Sequence, residues 1–241
     1  MIYVGVDDTD MPGTPGTNKF AKALAIRLTD KFECELIVRH QLLFDPRVPY
    51  TSKNSSASLL LHPKNGAGAA QLIDELRGFV SEWFVEGSDP GFCVTETIPA
   101  EVTAYGKRCQ SEVIDQSEPR NLAVKHGIHL EGCGGTNDGI IGALAAVGLV
   151  ADGNDGRVVQ IGAWPDDLTG PEDIKTVRAR NVEVRCLESE TEVKSGTIDV
   201  GKHLRPNYRG GKIVLFARPQ SETDGSNGSG QSSDWRAIRF T

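Results

Sequence analysis

GVDDTD, residues 5–10, places three carboxylates within four positions, directly behind the short apolar opening MIYV. This pattern predicts a β-strand whose carboxyl end exposes Asp7, Asp8 and Asp10. Ligands of open α/β sheets bind beyond the carboxyl ends of strands. Mg²⁺ is commonly held by one or two carboxylates together with substrate phosphates. We therefore interpret the three aspartates as metal ligands and catalytic residues; the alternative is a solvated turn, a conformation that Asp favours.

The residues after this cluster predict a turn and then a helix. Proline and glycine in MPGTPG forbid regular structure, and Thr17 stands where a helix N-cap belongs. Phe20, Leu24 and Leu28 recur every four residues, which is typical of an amphipathic helix over 18–32. Further along, strands are expected at 34–44 and 57–62 and a helix at 66–84. Alternating strands and helices predict an α/β body, a layered sheet-and-helix arrangement for which α+β is the alternative.

The second half of the chain predicts the rest of this body and a small appendage. Helices are expected at 99–114 and 118–127, followed by a short strand, a glycine-rich turn and an apolar helix that ends near residue 149. The sequence-based division has four parts: a body at 1–165, a small C-terminal β appendage at 172–218, a flexible linker at 221–234 and a tail at 235–241. The linker SETDGSNGSGQSSD carries too little apolar surface to fold.

Composition is that of a globular protein. Of 241 residues, 38% are hydrophobic and 24% charged, enough to bury a core. No apolar run approaches the ~20 residues that span a bilayer, so no membrane partner is expected. The five cysteines are scattered and form no CxxC pair, which suggests neither a zinc site nor a disulfide framework. We expect a reduced, cytoplasmic protein.

The net charge of −7 disfavours coating of nucleic acid by charge alone. The charge is uneven along the chain. Residues 172–218 hold ten Lys and Arg against seven Asp and Glu, whereas residues 1–171 hold fourteen against twenty-three. The sequence thus indicates an acidic body with a mildly basic appendage, so tRNA is a possible partner that the acidic charge does not favour.

A second candidate site is the glycine-rich stretch GCGGTNDG, residues 132–139. Gly132, Gly134 and Gly135 would let backbone N–H groups approach an anion, and Thr136 could cap the helix that follows. The stretch matches neither GxxxxGK[ST] nor a convincing GxGxxG pattern. We interpret these four residues as phosphate-binding; the alternative is a tight connection.

Three further positions are candidate phosphate ligands. Lys53 and Asn54 lie in the polar loop RVPYTSKNSSAS (47–58), and Lys19 lies in the first predicted helix. Surface loops are commonly polar, which is the alternative interpretation. The basic stretch GKHLRPNYRGGK (201–212) interleaves cations with an aromatic residue, as a ligand that carries phosphate would require, although a soluble hairpin loop has the same composition.

Four stretches together resemble one family. GVDDTD, the helix-opening Thr17, LIVRHQLLFDPRVPYTSKNSSASL and NDGIIGALAAVG follow the order of motifs in the kinase-like domain of the tRNA(Ile) 2-agmatinylcytidine synthetase family, over about residues 1–165. That resemblance implies chemistry with ATP and Mg²⁺. In the family, ATP activates the C2 carbonyl of an anticodon cytidine so that agmatine replaces its oxygen, and the domain phosphorylates its own threonine, at the position of Thr17.

The chain also departs from the family pattern. The family enzymes carry further modules that grip tRNA, including a zinc ribbon, so we expect a shorter stand-alone homologue. The family's TTY is here Thr17-Asn18-Lys19, and its KTRGN loop becomes residues 51–55.

The expected function is that of an ATP- and Mg-dependent enzyme, a phosphotransferase or a ligase-like enzyme. It would move a phosphoryl group to, or activate a carbonyl of, an unidentified small or nucleotide-like acceptor. The alternatives are a nucleotide-binding regulatory module without turnover and a compact tRNA-modifying enzyme that needs a separate tRNA-binding partner.

Overall fold

The computed structural model describes residues 1–48, 53–220 and 233–240. The chain divides into two compact units. The first comprises Met1–Asp152 with Gln160–Ala163, and the second comprises Gly153–Val159 with Trp164–Thr241. None of the helices in the described residues has the length and apolar character needed to cross a bilayer.

The first unit is a sheet with helices on it. Its strands are β1 (Ile2–Asp7), β2 (Phe32–Gln41), β3 (Ser55–Pro63), β4 (Gly91–Thr95) and β5 (His129–Gly132). Its helices are α1 (Thr17–Arg27), α2 (Ala69–Trp83), α3 (Ala100–Arg108), α4 (Ser117–His126) and α5 (Gly139–Asp152). The mixed α/β fold class expected from the sequence is confirmed.

The strand order in this unit is β5-β4-β1-β3-β2, and these neighbouring strands pair antiparallel. The antiparallel pairing corresponds to the α+β alternative. Strand β4, GFCVT, was not predicted from the sequence. All five of its residues are buried, so it lacks the alternation of apolar and polar residues by which a half-buried strand is recognised.

Helices cover both faces of this sheet. Successive side chains of a strand point to opposite faces. On β1, Gly5 faces α5, because a Cβ added there would lie 1.9 Å from the backbone oxygen of Ala143. Val4 and Val6, on either side of Gly5, point to the opposite face. They are fully buried there, on the face that α1 and α2 cover. Helix α5 is buried along most of its length, with α3 packed against it.

Two predicted helices end earlier than expected. Helix α1 ends at Arg27, because the chain turns and Phe32 already begins β2. Helix α3 ends at Arg108 rather than near residue 114, and the residues after it form turns.

The second unit is built mainly of short strands. They are β6 (Arg157–Ile161, of which the first three residues belong to this unit), β7 (Pro171–Asp173), β8 (Glu183–Cys186), β9 (Thr197–Asp199), β10 (Asn207–Arg209), β11 (Lys212–Pro219) and β12 (Trp235–Ala237), with one helix, α6 (Ile174–Arg178). Their order is β6-β10-β11-β12-β9-β7, and β8 pairs with β11. Most of the predicted linker, residues 221–232, lies outside the described residues.

The C-terminal tail joins the strands of the second unit. Strand β12 pairs antiparallel with β11 and parallel with β9. The carboxylate of Asp234 accepts hydrogen bonds from the backbone N–H (2.8 Å) and the hydroxyl (3.2 Å) of Thr197. The aromatic rings of Phe216 and Phe240 meet edge to face at 5.6 Å. The tail therefore belongs to the sheet of this unit.

Candidate functional site

One end of the first unit's sheet brings distant parts of the chain together. Asp7, at the end of β1, lies opposite Gly91, the first residue of β4, and Gly91 lies opposite Gly132, the last residue of β5. Val6 lies opposite Ala57, near the start of β3. The antiparallel pairing thus places the carboxyl ends of β1 and β5 beside the beginnings of β3 and β4.

A cavity of about 200 Å³ opens at this end of the sheet. It is lined by six of the residues proposed from the sequence: Asp7, Asp8, Asp10, Thr17, Lys53 and Asn54. Among its other lining residues are the charged Arg47, Glu112 and Asp138 and an apolar wall of Leu42, Leu43, Val48, Val113, Ile114 and Ile141. The other sequence candidates are not among the lining residues: Lys19, Gly132, Gly134, Gly135 and Thr136. Lys19 is instead exposed on α1.

Asp7 projects from β1 against helix α5. A Cβ added at Gly142 would lie 1.7 Å from the Asp7 Oδ2 atom, so only glycine leaves room for the carboxylate at this point of the helix. Burial, together with the negative charges of Asp8 and Asp10, raises the pKa of Asp7 to about 8. A glycine in the apolar helix therefore sets the position of the first aspartate.

Asp8 has a left-handed backbone, with φ of 51°. This conformation is uncommon for residues other than glycine, although Asp adopts it more readily than most. The pKa of the Asp8 carboxyl is raised to about 6, first by burial and then by repulsion from the carboxylates of Asp89, Asp10 and Asp138. Strained backbone and crowded carboxylates are both features that cluster at functional sites.

Asp10 binds the beginning of helix α1. Its Oδ1 atom accepts hydrogen bonds from the backbone N–H (3.3 Å) and the hydroxyl (3.2 Å) of Thr17. The prediction that Thr17 is the N-cap was wrong by one position. The N-cap is Gly16, which has no capping side chain, so the Asp10 carboxylate satisfies the first helical N–H in its place. Thr17 is buried, and its hydroxyl accepts a hydrogen bond from the Thr9 hydroxyl at 3.3 Å.

The glycine-rich turn at 132–138 is held by Asp89, a residue that the sequence did not single out. The Asp89 carboxylate accepts hydrogen bonds from the backbone N–H groups of Thr136 (3.0 Å) and Asn137 (2.5 Å) and from the Thr136 hydroxyl. The Asp89 N–H donates to the Asp8 carbonyl at 3.2 Å, and its own carbonyl accepts from the Gly139 N–H at 3.2 Å. The N–H group of Thr136, which the sequence suggested for phosphate, thus binds a carboxylate of the chain itself.

Asp138 is the second site residue missed from the sequence. It immediately precedes α5, its carbonyl accepts from the Ile141 N–H at 2.9 Å, and its carboxylate accepts from the side-chain amide of Gln116. An Asp directly before an apolar helix is typical of a helix cap, so the sequence NDG at 137–139 indicated that Asp138 lies at the start of α5. Asp138 comes close to the aspartates at the end of β1 because of the way α5 packs on the sheet, and no local sequence pattern indicates this packing.

Two cations line the cavity, Arg47 and Lys53. The Arg47 guanidinium binds the Asp45 carboxylate through two 2.8 Å hydrogen bonds, which lower the pKa of Asp45 to about 2. The Asn54 side-chain amide donates to the Leu43 carbonyl at 2.8 Å, which joins the two sides of the loop. Residues 49–52 of this loop, with Thr51, lie outside the described residues.

The charge of this cavity is predominantly negative. Five carboxylates line it against two cations among the residues that the structure describes. Within the same residues, no group of three or more His, Cys, Asp or Glu side chains is arranged to hold a metal ion by itself. The oxygen donors nevertheless match the preference of Mg²⁺, which commonly takes one or two protein carboxylates and completes its shell with water and phosphate. Metal binding by the three aspartates stays a prediction.

The basic stretch at 201–212 lies in the second unit, and several of its cations have partners. Arg205 binds Asp166 through two 2.7 Å hydrogen bonds, Lys212 lies 3.3 Å from Glu183, and Arg209 donates to the Asn154 carbonyl at 2.7 Å. Much of the positive charge in the stretch is therefore used within the unit.

No protein-family model and no curated protein matches the chain. Solved structures do match its fold. A tRNA fluorescent labelling enzyme is 24% identical, with a TM-score of 0.54 over 61% of this chain and 35% of its own. The complex of TiaS, the tRNA(Ile2) agmatidine synthetase, with tRNA(Ile2) and ATP is 24% identical, with a TM-score of 0.52 over 61% of this chain and 36% of its own.

A third match is the complex of TiaS with tRNA(Ile2), AMPCPP and agmatine, which is 21% identical, with a TM-score of 0.52 over 61% of this chain and 35% of its own. The chain thus spans about a third of the length of these structures. At this identity the comparison shows a shared fold. The resemblance noted from the sequence motifs is confirmed to that extent.

Proposed function

We propose that the first unit is an ATP- and Mg-dependent enzyme that transfers a phosphoryl group to, or activates a carbonyl of, a small or nucleotide-like acceptor. The observation that carries this proposal is the cavity at the end of the sheet. It gathers Asp7, Asp8, Asp10 and Thr17 from the first seventeen residues with Lys53 and Asn54 from a separate loop.

The donor set suits a nucleotide phosphate bound through a cation. Burial and neighbouring carboxylates raise the pKa of Asp7 and Asp8, and carboxylates this close together would repel a bare triphosphate. Mg²⁺ held by Asp7, Asp8 or Asp10 would neutralise the charge that develops on phosphate oxygens during transfer. Lys53 and Arg47 supply positive charge on the loop side of the cavity.

Thr17 is the proposed internal phosphoryl acceptor. Its hydroxyl donates to Asp10 and accepts from Thr9, so the lone pair that would attack phosphorus is oriented and the proton has a carboxylate to receive it. In that reaction the Thr17 oxygen bonds to the γ-phosphorus, the bond from this phosphorus to the β,γ-bridging oxygen breaks, ADP leaves and the proton passes to Asp10. The acceptor reaction would use the same cavity, which has an apolar wall beside the carboxylates.

The fold comparisons support an ATP-dependent role. The matched structures include TiaS bound to tRNA(Ile2) with ATP, and to tRNA(Ile2) with AMPCPP and agmatine. That observation also favours a second candidate function, a compact tRNA-modifying enzyme that needs a separate tRNA-binding partner, since both of these structures contain tRNA(Ile2).

Incubation of the pure protein with γ-labelled ATP and Mg²⁺ tests the proposal. We expect label on the protein or release of labelled phosphate, abolished by EDTA and by Asp8→Asn. A nucleotide-binding regulatory module would bind ATP with equal dependence on Mg²⁺ and produce neither signal. Retention of tRNA by the pure protein at physiological salt would instead favour the RNA-modifying candidate.

A further inference from the structure

Three arginines of the second unit converge from distant parts of the chain. Arg157 in β6 lies opposite Asn207 of β10, and Arg205 precedes Asn207 by two residues. Arg239, beyond β12, donates through Nη2 to the carbonyls of Val200 and His203, at 3.2 Å each. Arg157 thus lies beside the segment 200–207 through strand pairing, Arg205 lies within it and Arg239 binds to its carbonyls. We refer to Arg157, Arg205 and Arg239 as the arginine cluster.

The positive charge of the arginine cluster is only partly balanced. Arg205 is paired with Asp166, whereas Arg239 is bound to carbonyl oxygens. The Nε atom of Arg157 is buried and has no hydrogen-bond partner in the described part of the chain. Burial lowers the pKa of Arg157, and the charges of Arg205 and Arg239 lower it further.

A charge in this position requires an explanation. Arginine keeps its proton in proteins, so Arg157 remains a half-buried cation beside two others. Its Nε–H is buried without an acceptor among the described residues, and such a donor lowers stability. An anion that binds between the guanidinium groups would supply the acceptor and offset the positive charge. Because guanidinium matches phosphate geometry with two parallel N–H donors, phosphate is the anion that three arginines suit best.

We propose that Arg157, Arg205 and Arg239 form a binding site for a phosphate group in the second unit. Asp166 orients Arg205 and leaves the other two arginines to meet the ligand. The phosphate belongs either to a small ligand, such as a mononucleotide, or to the backbone of an RNA. The competing explanation is a water molecule between the Arg157 Nε atom and the Asn207 Oδ1 atom, which also lacks a hydrogen-bond partner among the described residues.

Isothermal titration of the full chain tests this site, with thermal unfolding as a second readout. The ligands are inorganic phosphate, ATP and a short single-stranded RNA, each in EDTA and at matched ionic strength, so that a magnesium-dependent cavity in the first unit does not contribute. We expect binding to weaken about tenfold or more in Arg239→Gln, because each charge-assisted bond to phosphate is strong. Arg157→Met should abolish binding and raise the melting temperature of the unliganded protein.

Arg218→Gln is the matched control. Arg218 is an exposed arginine of β11 that pairs with Glu188, so its loss changes the net charge equally without touching the arginine cluster. Preferential loss of RNA binding in Arg239→Gln identifies a phosphodiester ligand, and equal loss for free phosphate and ATP identifies a small one. The proposal is overturned if none of the three ligands binds, or if Arg218→Gln weakens binding as much as Arg239→Gln does. A water molecule between the Arg157 Nε and Asn207 Oδ1 atoms would then explain why these atoms lack protein partners among the described residues.

Discussion

The Asp7 carboxylate should destabilise the protein at neutral pH when no ligand is bound. Burial, with repulsion from Asp8 and Asp10, raises the pKa of Asp7 to about 8, whereas an unfolded Asp titrates near about 3.9. Between these two values the folded protein holds a proton that the unfolded chain has lost. The contribution of Asp7 to the free energy of unfolding is therefore fully present below about pH 4 and is lost as the pH rises towards 8.

The size of the effect follows from the same shift. Each pH unit is worth about 1.36 kcal/mol, so the three units between about pH 4 and pH 7 set an upper limit of about 4 kcal/mol. The side chain is half-buried and faces the cavity, so we expect about half of that. Asp7→Asn removes the ionisable group and should raise stability at pH 7 by about 2 kcal/mol, or roughly 4 to 8 °C in melting temperature.

Urea unfolding of the wild type and Asp7→Asn at pH 5, 7 and 8 measures this effect. Wild-type stability should fall across the series, and the variant should show a flatter dependence. Asp115→Asn is the control, because hydrogen bonds from Ser117 lower the pKa of Asp115 and its loss cannot stabilise the fold in this way. Equal stability of wild type and Asp7→Asn at pH 7, with parallel pH profiles, would refute the reasoning.

Two further predictions concern the cavity, and a third concerns the glycine-rich turn. Gly142→Ala should displace the Asp7 carboxylate, with which the new methyl would collide, and reduce Mg·ATP affinity about tenfold or more in titration calorimetry. Gly78→Ala, where the added Cβ meets nothing within 4 Å, should bind normally and gain about 0.5–1 kcal/mol; equal behaviour of the two variants would contradict the packing argument. We expect mass spectrometry to find phosphate on the wild-type peptide 1–19 after incubation with Mg·ATP. Thr17→Ala should retain the fold by circular dichroism but lose this phosphate, and Thr17→Ser should keep it; an undiminished level of phosphate on Thr17→Ala would exclude Thr17 as the acceptor. Asp89→Ala leaves two N–H groups of the glycine-rich turn without their acceptor and should lower the free energy of unfolding by about 1–3 kcal/mol. Unchanged urea unfolding would show that the turn is stable without the Asp89 carboxylate.

Local patterns were sufficient for the elements that carry the main site residues. The apolar run before GVDDTD indicated β1, and the four-residue spacing of Phe20 and Leu24 indicated α1. Asp10 and Thr17 are seven positions apart, and the Gly/Pro turn between them brings the two side chains within hydrogen-bond distance. Sequence reasoning works here because each contact is made within one stretch of chain.

The remaining features depend on packing between distant stretches. Asp89 lies in the short connection just before β4, and its role arises because β4 and β5 are neighbours in the sheet. The glycines of 132–135 suggest a phosphate-binding turn from the sequence. In the structure a Cβ at Gly132 would lie 2.5 Å from the Cβ of Asn137, so a tight turn already requires glycine there. A glycine-rich composition alone does not distinguish a turn that leaves space for a ligand from a turn in which other parts of the chain fill that space.

A crystal structure of the protein with Mg²⁺ and a non-hydrolysable ATP analogue tests the central claim most directly. The account predicts the triphosphate in the cavity of the first unit, with a cation between its oxygens and at least one of Asp7, Asp8 and Asp10, and with the γ-phosphate next to the Thr17 hydroxyl. A nucleotide bound elsewhere, with the three carboxylates in contact with solvent alone, would contradict it.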